Sequence, residues 1–133
     1  MQVIGFNLTK ILVEKKEKIE GKLEVKQNID ISGISKEKVP FSEDAIKISF
    51  NFIVSYEPEF AKLNLEGYLV LLVDKEEIKK FLKSWKDKKL PEEAKISLFN
   101  FIMNKCNIKA LNLEDELNLP LHIPMPRINP NTQ

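Results

Sequence analysis

A single cysteine, Cys106, stands among 133 residues. An intrachain disulfide is therefore excluded, and so is a metal site built on clustered cysteines. A single histidine, His122, excludes a paired-histidine centre within one chain. The phosphate-cradling loops GxxxxGKS/T and GxGxxG, the HExxH zinc helix and the EF-hand loop are all missing. No small-molecule cofactor or metal is implied. No apolar run approaches the ~20 residues of a membrane span; the longest, Tyr68-Leu-Val-Leu-Leu-Val73, has strand length. The start, MQVIGFNLTK, lacks the charged block and apolar core of a signal peptide. A cytoplasmic location is expected. Neither sign of charge dominates, with 21 Lys and Arg against 20 Asp and Glu and a net charge of +1. Such balance lacks the electrostatic footprint of a general nucleic-acid binder. The basic runs Lys79-Lys80 and Lys86-Asp87-Lys88-Lys89 read as solvated lysines around a helix end. Glycine is scarce, at 4 residues, while Lys, Glu, Ile and Leu abound. Heat-loving organisms show that bias, and so does AT-rich coding.

What is present suffices for a self-sufficient core. The hydrophobic share is 43% and the charged share 31%. A chain of this size buries roughly two thirds of the surface its unfolded form exposes. One domain is expected over residues 1–119, then an extended proline-rich tail over 120–133.

The first half alternates with period two. Leu23, Val25, Ile29 and Ile31 alternate with polar residues, as in a half-buried strand. Ile46, Ile48, Phe50, Phe52, Val54 and Tyr56 share a face opposite Lys47, Ser49, Asn51, Ile53 and Ser55. Beyond a Glu57-Pro58-Glu59 turn, Leu63, Leu65, Leu69, Leu71 and Val73 continue the pattern. The short turn makes these two strands an antiparallel hairpin. Near the start, Ile4, Phe6 and Leu8 keep one phase and Ile11 and Val13 the other. A β-bulge near Thr9-Lys10 absorbs that slip. Residues 33–45, with Gly33, Pro40 and many charges, are expected to form the longest loop.

Then the period changes. Ile78, Phe81, Leu82 and Trp85 stand at helical spacing, with Asp74 and Glu77 as a cap pair. Pro91 suits a first helical position, and Glu92 and Glu93 favour the positive end of the dipole. Ala94, Leu98, Ile102, Cys106, Leu113 and Leu117 form one stripe of a long helix over about 91–118. Ile96, Phe101 and Ile108 lie off that stripe, so the helix is expected to be buried on more than one side. Strands followed by helices predict an α+β fold. Four antiparallel strands come first, then a short helix and a long helix cover one face of the sheet.

Candidate chemistry is sparse. The acidic groups Glu57, Glu59 and Glu66, and Glu114-Asp115-Glu116, read as surface clusters without a cleft. His122 reads as a packed or solvated tail histidine; a carboxylate to orient it would have to come from Asp115 or Glu116. Cys106 reads as a small buried hydrophobe. More informative is the second sheet face, where Tyr68, Val70, Leu72 and Ile53 point away from the core. An apolar patch there is covered by the same chain, by another subunit, or by a client. The tail, LNLPLHIPMPRI over 117–128, spaces Leu121, Ile123 and Met125 with prolines. Proline restricts the residue before it and pre-straightens the chain, which lowers the entropy lost on docking. The tail is expected to dock on its own body or on a partner subunit.

Three stretches carry a resemblance. They are FNLTKILVEKKEKIEG (6–21), AIKISFNFIVSYEPEFAKLNLEGYLVLLVD (45–74) and ELNLPLHIPMP (116–126). Together they resemble the SecB family of export chaperones, the last of them in the form found in small archaeal proteins of SecB-like organisation. The resemblance implies a non-enzymatic homo-oligomer, a homodimer or dimer of dimers, that holds unfolded polypeptides in apolar grooves without ATP. Ile53, Tyr68, Val70 and Leu72 would then form a client groove or subunit interface, with Phe101, Ile108 and the tail residues Leu121, Ile123 and Met125 as further contacts. The chain departs from the family at its end, IPMPRINPNTQ, which lacks an acidic flexible tail. An export role is thereby in doubt, while a holding or scaffolding role is not. The alternative expectation is a dimeric factor docked on the ribosome or RNA through Lys79 to Lys89 and Arg127.

Overall fold

The computed structural model describes residues 1–19 and 21–130. Four strands, β1 (Gln2–Lys15), β2 (Glu24–Val39), β3 (Ser42–Glu57) and β4 (Ala61–Leu72), precede two helices, α1 (Lys75–Trp85) and α2 (Glu92–Glu116). All pairings are antiparallel and the strand order is β1-β4-β3-β2. The α+β architecture expected from the pattern is the observed one.

The two long central strands carry the core. Ile46, Ile48, Phe52, Val54 and Tyr56 on β3, and Leu63, Leu65, Leu69 and Leu71 on β4, are fully buried. Both helices cover this one inner face. α1 contributes Ile78 and Phe81; α2 contributes Leu98, Ile102, Cys106 and Ala110. Each large aliphatic side chain removed from water stabilises the fold by about 1.5–3 kcal/mol. Most inward apolar residues of the edge strands β1 and β2 are half-buried, because neighbours flank them on one side only, while Ile34 is buried and Ile11 is exposed.

The bulge expected near Thr9-Lys10 is present: the β1–β4 register shifts between Leu8 and Lys10, and again between Val3 and Gly5. At the first of these shifts β1 passes very close to Gly67. A Cβ there would sit 2.3 Å from the Asn7 carbonyl oxygen and 3.0 Å from the Phe50 ring. The β3–β4 hairpin turns at Glu57-Pro58, whose peptide bond is cis.

The expected loop over 33–45 is not a loop. β2 continues to Val39 and β3 begins at Ser42, leaving Pro40 and Phe41 as a two-residue turn. Gly33 sits where the β2–β3 register shifts, and the charges of Lys36, Glu37 and Lys38 belong to an edge strand. Charges along an edge oppose unwanted pairing with other chains, so they are compatible with a strand.

α1 opens with the capping box anticipated from Asp74 and Glu77. The Glu77 amide donates to Asp74 Oδ1 at 2.8 Å, and the Asp74 amide to Glu77 Oε1 at 3.1 Å. α2 begins one residue after Pro91, which takes the cap position. Its apolar residues spread around the helix, yet Ile96 and Ile108 face solvent, 74% and 71% exposed. Burial on a second side is therefore not observed at these two positions within the single chain.

Candidate functional site

The strand register assigns every residue of the outer sheet face. On β4 it presents Lys62, Asn64, Glu66, Tyr68, Val70 and Leu72; on β3, Lys47, Ser49, Asn51, Ile53 and Ser55. β1 adds Gly5, Asn7, Lys10 and Leu12 beside them, while β2 adds Lys26, Asn28 and Asp30. The face is thus mixed and not apolar throughout. Its apolar part is a strip along β4, formed by Tyr68, Val70 and Leu72. A second small patch, Ile53 and Leu12, flanks Asn64. These side chains are half-buried by their own sheet neighbours; both helices pack on the other side. The Lys47 ammonium lies 4.4 Å from the Tyr68 ring centroid and covers it from the β3 side. Two carbonyl oxygens on this face, Asn51 Oδ1 and Asn64 Oδ1, are buried without a hydrogen-bond partner among the described residues.

The remaining candidate residues separate. Phe101 is half-buried and meets Phe6 edge-on at 6.0 Å, so it fastens α2 to β1. Ile108 is exposed on the far side of the helix. In the tail, Leu121 and Met125 are 41% and 53% exposed, whereas Ile123 is half-buried. Residues 131–133 of the tail lie outside the described residues.

The tail's first residues are bound to their own chain by a polar cluster that the sequence did not reveal. α2 ends at Glu116 with Leu117 as its cap, and Asn118 in a left-handed conformation (φ 53) turns the chain back. The Leu119 amide then donates to the Glu114 carbonyl at 2.8 Å. His122 Nδ1 lies 2.8 Å from Glu114 Oε2, and its backbone amide donates to Oε1 at 3.1 Å. Nε2 meets Asn107 Oδ1 at 2.8 Å, and the ring packs edge-on against Phe52. Both side chains of the Glu114–His122 pair are wholly buried. The Tyr56 hydroxyl donates to the Pro120 carbonyl at 2.7 Å. Burial, and then the Glu114 carboxylate, push that hydroxyl well above its ordinary pKa. Lys15 reaches across from β1 to the Leu117 carbonyl.

Two expectations are corrected here. Glu114 is not a surface acid, and the carboxylate that orients His122 is Glu114 itself, not Asp115 or Glu116. The three-residue acidic run concealed the difference, because only one of its members turns inward at the helix end. A buried carboxyl needs partners inside the fold, and the tail supplies them in the His122 amide and Nδ1. The cluster is closed to solvent, so it is an anchor for the tail.

Elsewhere the chemistry is thin. A cleft of about 580 Å3 at one end of the sheet is lined by three lysines and three glutamates, among them Lys16 and Glu59 at 3.9 Å. Among the described residues no group of His, Cys, Asp and Glu is arranged to hold a metal. Among the described residues no helix is long and apolar enough to cross a membrane. Cys106 is fully buried, and burial pushes its thiol up to about 12.

No family model matches the chain, and no curated protein matches it by sequence. Among solved structures it is similar to a SecB-like chaperone of Mycobacterium tuberculosis, solved in complex with a ChAD peptide from the HigA1 antitoxin. The TM-score is 0.58 at 12% identity, over 96% of this chain and 89% of that one. At that identity the likeness speaks for the fold alone, and the chain has a SecB-like α+β fold.

Proposed function

We propose that this protein is a non-enzymatic polypeptide-binding module that holds unfolded chains without ATP, as SecB-like proteins do. It acts in the cytoplasm as a homodimer or dimer of dimers. The observation that carries the reading is the strip of Tyr68, Val70 and Leu72 on a sheet face that neither helix covers. Such a face favours another polypeptide over water. Ile53 with Leu12 adds a second, smaller apolar patch on the same face. The peptide-bound state of the SecB-like structural neighbour supports the same reading. Ile108, Leu121 and Met125, exposed on the helix and tail, are the further apolar contacts between subunits.

The test is suppression of aggregation. The protein at stoichiometric amounts should slow light scattering by a chemically denatured client. Replacing Tyr68 and Val70 by Lys should remove most of that effect without unfolding the protein. Static light scattering of the free protein should return a mass of two or four chains. A protein that leaves client aggregation unchanged overturns the proposal.

A further inference from the structure

The fold sorts the lysines that the sequence shows only as runs. Lys80 pairs with Glu93 at 3.5 Å, and Lys88 rests over the Trp85 ring at 4.7 Å. Lys75, Lys79 and Lys83 stand on α1, and Lys86 is its C-terminal cap. At 3.6 residues per turn these four fall within an arc of about 80° on one side of the helix. Their Cα atoms follow in steps of about 5–6 Å along roughly 16 Å of axis. Ile78 and Phe81, buried against the core, lie to one side of the arc, and Glu76 and Asp87 to the other.

β2 extends this row. Lys36 borders a groove of about 330 Å3 between that strand and α1, together with Lys75, Lys79, Ile78 and Leu82. All five lysines of the row are exposed, and none meets a carboxylate among the described residues. The single acid of the groove, Asp44, is already engaged elsewhere. Beyond Lys36, the turn between β2 and β3 carries Phe41, which is 70% exposed. At ~3.3 Å per residue the turn lies within about 17 Å of Lys36. The near-zero net charge conceals this row, because the balancing acids lie on other parts of the surface or are paired.

A row of unpaired ammonium groups repels itself and favours a chain of anions laid along it. A phosphate backbone needs charges at intervals and little else, and a base needs one flat ring to stack on. An acidic peptide would draw its affinity from apolar pockets, and beyond Ile78 and Leu82 the row offers none. A bilayer surface is flat and does not enter the groove at Lys36, whereas a single strand does. We propose that Lys36, Lys75, Lys79, Lys83 and Lys86 bind the backbone of a single-stranded nucleic acid, with Phe41 as the platform for one of its bases. The site shares no residue with the outer sheet face and stands or falls apart from the polypeptide-binding reading.

Fluorescence anisotropy of the full chain with a labelled oligouridine of about twelve nucleotides tests it. With four or five phosphate contacts at ~0.7 each, log K should fall against log salt with a slope of about −3. Lys79→Gln/Lys83→Gln should make that slope shallower by roughly 1.4 and weaken binding on the order of tenfold at low salt. Lys79→Arg/Lys83→Arg should bind as the parent does. Phe41→Ala should weaken binding about fivefold or more and leave the slope unchanged, since stacking releases no counterion. Lys18→Gln/Lys22→Gln, at the opposite end of the sheet, should change neither quantity. Absence of binding at low salt overturns the proposal. Equal losses from the Lys18/Lys22 and Lys79/Lys83 variants overturn it too, because the attraction would then be diffuse. Tighter binding of a duplex of the same length, of a polyglutamate peptide or of phosphatidylserine vesicles overturns it in favour of that partner.

Discussion

Replacing His122 by Phe keeps a ring against Phe52 and removes both nitrogens. The Glu114 carboxylate then keeps the His122 backbone amide but loses the Nδ1 contact at 2.8 Å. Asn107 loses its partner as well. Neither Glu114 nor His122 has side-chain contact with solvent, so water cannot replace what is lost. A hydrogen bond to a charged group contributes ~1.5–3 kcal/mol, and breaking a buried pair costs ~3–5 kcal/mol. About 3 kcal/mol is expected for the single variant. For a chain of this length that lowers Tm by about 10 °C and the urea midpoint by about 2 M. Urea unfolding followed by the fluorescence of Trp85, the sole tryptophan, measures it. Replacing Glu114 by Leu in the same chain removes the stranded carboxyl, so the double variant should recover most of the loss. The cycle should give a coupling above about 1 kcal/mol. A single variant within about 0.5 kcal/mol of the parent refutes the reasoning, as do strictly additive costs. Either would mean that the tail does not hold this carboxylate.

Gly67→Ala should destabilise by roughly 2 kcal/mol or more, because its Cβ would collide with backbone at Asn7. Thermal unfolding followed by circular dichroism would show it, whereas Gly21→Ala is strained only by its φ of 81° and meets no atom. Alkaline stability follows from Cys106, whose thiol burial raises from 9.0 to about 12. The folded state holds the proton and the unfolded state releases it first. The contribution is thus complete below about pH 9 and is lost as pH rises toward 12. Tyr56, shifted in the same direction, adds to the loss. The urea midpoint should fall between pH 8 and pH 11, and less steeply in Cys106→Ala. In the native protein at pH 8, an alkylating reagent should leave Cys106 unmodified until denaturant is added.

The sequence by itself determined the elements and their inward faces. Period-two alternation placed Ile46 to Tyr56 and Leu63 to Leu71 on the buried side of a hairpin, and the phase change between Leu8 and Ile11 located a bulge. Asp74 with Glu77 marked the start of α1, and a stripe at helical spacing marked α2. These signals are local, since each depends on which neighbours along the chain share a face. What only the tertiary structure decided depends on groups distant in sequence. The strand continuing through Gly33 and Lys38 was hidden because an edge strand tolerates charges that otherwise signal a loop. The polar strip of β2 and β3 beside the apolar strip of β4 followed from strand order, which pairs β1 with β4. The inward turn of Glu114 follows from the chain reversal at Asn118, which brings His122 and Pro120 back beneath the helix end. No periodicity encodes that reversal. A carboxylate enters the interior only where the fold brings it donors, and those donors come from a segment that pattern alone had left extended.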